Sequence, residues 1–112
     1  MQQQFITSET VLQWLDNEEA ILVDVREPEE RAIARIDRSH SFPLSCFALS
    51  ALPNHDGKKI ILHCASGIRC GLAAEKLIQS GYSGTIYRLQ GGIEDWHASG
   101  NPVVHGKNDR FL

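Results

Sequence analysis

Two short apolar runs constrain this chain more than any other feature. Ala20-Ile21-Leu22-Val23-Asp24-Val25 and Ile60-Ile61-Leu62 are branched and almost uninterrupted. A strand with one wet face alternates in polarity, whereas a run apolar at nearly every position must be covered on both faces, as in a parallel sheet. Parallel strands need crossovers, and helical patterns lie where crossovers are required. Thr7 or Ser8 can cap a helix carrying Val11, Leu12, Trp14 and Leu15, which ends at Asp16-Asn17. Pro28 opens a second helix among Glu27, Glu29 and Glu30, a composition the helix dipole favours. A third runs from about Arg69 to Ser80 and stops at Gly81; a fourth begins after Gly91-Gly92, carries Ile93 and Trp96, and ends at Gly100. Thr85–Leu89 reads as a further strand and Ser41-Phe42-Pro43 as a short edge strand. A helix is expected from Ser45 to Leu52 and a turn at Asn54-His55-Asp56-Gly57. The alternation predicts one α/β domain over residues 1–112 with a mainly parallel sheet, and a loosely held polar tail from His105 to Leu112.

The second apolar run ends at His63, and Cys64 follows it directly. Arg69 lies five positions further on, where a helical pattern opens with Leu72, Ala73, Leu77 and Ile78. In open parallel sheets the binding crevice lies beyond the carboxyl ends of the strands. A thiol on a short strand-to-helix loop there meets backbone N–H groups and the positive end of a helix dipole, which favour thiolate over thiol. The loop is a candidate anion cradle with a nucleophile in its floor. His63 should point to the opposite face of the strand from Cys64.

Composition sets the outer bounds. The chain has 112 residues, 42% of them hydrophobic, enough for one core. A net charge of −3 does not suggest a nucleic-acid footprint. The first residues lack a basic segment followed by an apolar one, and no apolar stretch approaches a membrane span, so a cytoplasmic protein without membrane association is expected. The three cysteines, Cys46, Cys64 and Cys70, form no paired framework. Cys64 and Cys70 are wrongly spaced for a zinc knuckle, and His40, His55, His63, His97 and His105 show no ligand spacing. No metal or cofactor is expected.

Three segments together resemble a single-domain rhodanese, over roughly residues 5–104: Leu22-Val23-Asp24-Val25-Arg26-Glu27 with Glu30, Cys64-Ala65-Ser66-Gly67-Ile68-Arg69, and Leu89-Gln90-Gly91-Gly92-Ile93-Glu94-Asp95-Trp96 with Gly100, Pro102 and Val103. The resemblance implies a five-stranded, mainly parallel sheet flanked by helices on both faces. It also implies a persulfide mechanism: Cys64 takes a sulfane sulfur from a small anionic donor such as thiosulfate and passes it to cyanide, a thiol or a protein acceptor. Mercaptopyruvate ranks below thiosulfate as donor. Residues Ala65, Ser66, Gly67, Ile68 and Arg69 are then the substrate-binding loop. Asp24, Arg26 and Glu30 are expected to be structural support, an ion pair tying the strand end to Glu30 or the loop. Ala34-Arg35-Ile36 stands where the family often has Gly-His-Ile, Arg31 where an aromatic is frequent, and Cys70 where a small hydroxyl residue is usual.

Each residue also has a plainer reading. Arg69 can brace the loop against Asp24, Glu27 or Glu30 instead of meeting an anion, and Ser66 can stabilise the turn instead of donating to a persulfide. Cys70 can be a redox partner of Cys64 or only a weak donor packed on the loop. Cys46 is expected to pack, as are Trp14 and Trp96. The competing functions are a cysteine phosphatase or arsenate reductase of the related fold, and a non-enzymatic regulatory module. Those phosphatases separate cysteine and arginine by five residues, whereas four separate Cys64 from Arg69 and Cys70 occupies the arginine position. An intact Cys64 loop argues against the regulatory module.

Overall fold

The computed structural model describes residues 2–46 and 57–105. Five strands form one sheet in the order β1 (Gln3–Ile6), β6 (Ile86–Leu89), β5 (Lys59–His63), β2 (Ala20–Asp24), β4 (Ser39–Ser41), and every pairing is parallel. Along β2 and β5 the register sets Ile21 beside Ile60 and Asp24 beside His63. All five residues of β2 are buried, as its unbroken apolar run requires.

Helices cover both faces. On one side α3 (Arg69–Gln79) lays Cys70, Ala73, Ala74 and Leu77 against Ile21, Val23, Ile60, Leu62 and Ile86, joined by Leu44 from the 3₁₀ turn Leu44–Cys46. On the other, Val11, Leu12 and Leu15 of α1 (Ser8–Asp16) and Ile93 and Trp96 of α4 (Gly92–Ala98) pack on Ile6, Leu22, Ile61 and Leu89. Thr7 is the N-cap of α1, its hydroxyl accepting from the Thr10 N–H at 3.3 Å. Glu27 and Glu30 form a reciprocal capping box at the start of α2 (Pro28–Ile33).

Three features differ from the sequence expectation. The edge strand is Ser39–Ser41, not Ser41–Pro43, and pairing stops before Pro43, which has no N–H to give a ladder. Strand β1 lies in a glutamine-rich segment that carries no apolar pattern. Ala34-Arg35 forms β3 and pairs antiparallel with β7 (Val104–His105), so the residues replacing Gly-His-Ile anchor the C-terminal segment. Most of the helix expected over Ser45–Leu52, three residues of the turn at 54–57, and residues 106–112 of the tail lie outside the described residues. No described helix is long and apolar enough to cross a membrane.

Candidate active site

Strand β5 ends at His63, and the next five residues turn the chain into α3. The start of this loop is held from behind: the N–H groups of Ile93 and Glu94, in the first turn of α4, donate to the carbonyls of Cys64 (2.9 Å) and Ala65 (3.1 Å). Gly92 permits that approach, because a Cβ there would stand 2.4 Å from both carbonyl oxygens. At the loop's middle, Gly67 takes φ +110°, a conformation closed to most side chains, and its N–H points back to Cys64 Sγ at 3.1 Å.

Cys64 is only 1% exposed, and burial alone would push its thiol pKa up. Its pKa instead comes down to about 5. The largest cause is the hydrogen bond from the Cys70 thiol, followed, against burial, by the N–H groups of Cys70, Gly67 and Arg69. Cys70 has one proton and two acceptors. Its S–H donates to the Gly67 carbonyl at 3.2 Å, and an anionic Cys64 sulfur is the stronger acceptor for the same proton, which is the sense in which this thiol favours the Cys64 thiolate. The Cys70 pKa accordingly moves up, first through Cys64 and then through burial. Both thiols are free.

The two ends of the loop's polar environment come from different elements. Arg69 forms a bidentate pair with Glu30, at 2.6 and 2.7 Å, and the pair raises the arginine pKa and lowers that of the carboxyl. Of the carboxylates the sequence offered it, Arg69 takes Glu30, whose Oε1 also accepts from the Glu27 N–H. On the opposite side stands Arg88 of β6, which sequence reasoning did not single out. Its Nη2 donates to the Gly67 carbonyl at 2.7 Å, and its Nε lies 3.5 Å from Cys70 Sγ. No motif marks Arg88. The strand alternation was the available signal, since it puts Arg88 on the same side of β6 as Ile86, the side facing α3. A cleft of about 530 Å³ opens there, lined by Phe5, Ser66, Gly67, Ile68, Arg88 and Gln90. Ser66 and Ile68 are exposed at its edge.

A family model for the rhodanese-like domain matches residues 7–99. This chain belongs to the rhodanese-like family. It is 34% identical over 100 residues to a protein of Allochromatium vinosum named sulfurtransferase, covering 88% of this chain and 92% of that one. It is 40% identical over 103 residues to a Synechocystis protein whose name assigns no function, covering 92% of this chain but only 57% of that protein's length. A rhodanese-related protein of Thermoplasma volcanium has the same fold, with TM-score 0.76 and 31% identity over 90% of this chain and 97% of its own.

The support residues of this rhodanese-like domain are wired differently from the expectation. Asp24 and Arg26 do pair, through Nε (3.1 Å) and Nη2 (3.0 Å), but Arg26 then reaches the Ala34 carbonyl at 2.8 Å and not Glu30 or the loop. Glu30 is turned to α3 by its capping box and taken by Arg69, so the Asp24 cluster braces β2 against β3. Arg31, at the position where an aromatic is frequent, completes that cluster with bonds to Asp24 (3.0 Å) and Ser39 Oγ (2.8 Å). His63 lies on the Asp24 face, opposite Cys64, with Nε2 3.7 Å from Asp24 Oδ2. Burial lowers its pKa to about 4 against the pull of Asp24, so it is neutral near pH 7. Burial pushes the Asp24 pKa up, and a charged His63 and the Arg26 hydrogen bonds bring it below its ordinary value.

Proposed function

We propose that this rhodanese-like domain is a sulfurtransferase that carries a sulfane sulfur on Cys64. The observation behind this reading is the Cys64 sulfur at the end of β5, met by the Gly67 N–H at 3.1 Å and by donors in the first turn of α3 that lower its pKa to about 5. Sulfur transfer needs a thiolate nucleophile and donors for an anion, but no general acid, because sulfite is a good leaving group. The Cys64 thiolate attacks the outer sulfur of an anionic donor such as thiosulfate. A new S–S bond forms, the old one breaks, and its electron pair departs with sulfite. The Cys64 persulfide is left as an anion in the same N–H cradle. A thiophilic acceptor, whether cyanide, a small thiol or a protein thiol, then attacks the terminal sulfur and returns the thiolate. The loop's proportions do not favour phosphate-ester hydrolysis: four residues separate Cys64 from Arg69, and that arginine is turned to Glu30.

Incubation with thiosulfate should add one sulfur mass to the intact protein, and dithiothreitol should remove it. Cys64→Ser should lose both the adduct and thiosulfate:cyanide turnover, by at least about three orders of magnitude, while Cys46→Ser keeps them. Turnover that survives in Cys64→Ser, or hydrolysis of an aryl phosphate in place of sulfur transfer, overturns the reading.

A further inference from the structure

Two guanidinium groups flank the catalytic loop, and they are in opposite electrostatic states. Arg69 is neutralised by a carboxylate that meets it with both oxygens. Arg88 touches no carboxylate among the described residues. Its three hydrogen bonds run to the Gly67 carbonyl, the Cys70 sulfur and the Gln3 side-chain oxygen at 3.0 Å, all neutral acceptors, and its Cζ stands 4.3 Å from the Phe5 ring centre. A guanidinium has five N–H bonds, so two remain for a ligand. Gly71, lacking a side chain, leaves the room on α3 that this guanidinium fills. Arg88 lines the 530 Å³ cleft beside the loop; Arg69 does not.

We infer that Arg88 is the cation that receives the anionic end of the sulfur donor, and that it makes this cleft select anionic sulfane donors over neutral ones. The inference builds on the sulfur-transfer reading for the identity of the donor, but its physical content is separate: fixed, uncompensated positive charge bonded to the loop that carries Cys64. A thiolate and a doubly charged thiosulfate repel each other, and the attack concentrates the departing charge on sulfite. A guanidinium already tied to the loop by Gly67 meets that charge with spare N–H groups and little reorganisation. Half-exposed Phe5 supplies an apolar wall that keeps the guanidinium in place and limits its hydration.

The test is the alkylation of Cys64 by iodoacetate, an anion, set against iodoacetamide, its neutral counterpart. Adducts are read on the Cys64 peptide, which cleavage after Arg69 separates from Cys70. Arg88→Gln should lower the iodoacetate-to-iodoacetamide rate ratio on the order of tenfold, and Arg88→Lys should restore most of it. Alkylation needs no turnover, so this result stands or falls apart from sulfur transfer itself. In the transfer assay, the same Gln variant should raise the thiosulfate KM about tenfold more than that of a neutral organic trisulfide. An unchanged ratio overturns the inference. Equal slowing by both reagents also overturns it, because Arg88 would then only prop the loop, and Arg88→Lys controls for misfolding.

Discussion

His63 and Cys64 are neighbours in sequence, both sealed from solvent, and both titratable, yet their environments drive them in opposite directions. Burial pushes each toward its neutral form. For His63 nothing resists effectively: neither ring nitrogen has a hydrogen-bond partner among the described residues, and the imidazole is held neutral with a pKa of about 4. For Cys64 the loop supplies a thiol and several N–H donors, and the sulfur is held anionic with a pKa of about 5. What decides the charge state is not depth but whether partners that suit the charged form, donors for a thiolate and acceptors for an imidazolium, meet the atom. The pleat explains why adjacent residues can differ so much, since it sends one side chain to the loop and α3 side and the other to the Asp24 cluster.

The largest effect expected from breaking this contrast is on the His63 side. The folded pKa lies below the unfolded value, so the unfolded chain binds the proton first as pH falls. Stability from neutral His63 is therefore present above about pH 6.5 and is lost between there and about pH 4, an amount on the order of 3 kcal/mol. Denaturant unfolding at stepped pH should show that decline, and His63→Leu should flatten it. A decline of the same steepness in the Leu variant would mean that other groups carry it.

A smaller effect is expected from Cys70. Cys70→Ala removes the strongest donor to the Cys64 sulfur and should raise the midpoint of its iodoacetamide pH profile by about 1–2 units, whereas Cys70→Ser should hold it near the native value. Identical midpoints in all three proteins would leave the backbone N–H groups as the whole cause. Peptide mapping of persulfidated protein sharpens the same point. Cys70 is kept protonated, so it is a poor attacking thiol and no 64–70 linkage is expected. A linked peptide that disappears in Cys70→Ser would make it a redox partner of Cys64 instead.

The smallest effect belongs to Arg69 and Glu30. Their side chains are about a third exposed, at 32% and 34%, so solvent screens the pair, and a double-mutant cycle with Arg69→Ala and Glu30→Ala should give a coupling of about 1 kcal/mol or less in stability. Arg69→Ala should nevertheless raise the thiosulfate KM through the loosened loop, and Arg69→Lys should recover only part, since it cannot pair with both oxygens. Unchanged kinetics in Arg69→Ala would show that the loop's geometry is fixed from its other side.

Local patterns made the strand–loop–helix around Cys64 legible. The run Ile60-Ile61-Leu62 demanded burial on both faces, and the loop motif then placed a thiol at a helix start. The same reasoning missed what depends on pairing at a distance. Gln3 and Gln4 carry no apolar pattern, and only their pairing with β6 makes them a strand; a two-residue strand such as Ala34-Arg35 has no period to detect. Arg88 approaches Gly67 across 21 positions, and Arg69 meets Glu30 across 39. For Arg69 the residue type left a carboxylate and a donor anion both open, and only the fold chose the carboxylate; Arg88 carried no such signal until the fold set it beside the cleft.

The contact of α4 with the loop has a consequence for how such a site can change. Cys64 and Ala65 are clamped by two amides, and position 92 has no room for any side chain. From Gly67 onward, the loop is secured through Arg88 and Glu30. Ser66 and Ile68, both exposed, are left between the anchors. Substitutions there can reshape what enters the cleft while the nucleophile keeps its position and charge. Reactivity and selectivity are thereby stored in separate residues, and a lineage can explore new donors at two positions without rebuilding the chemistry.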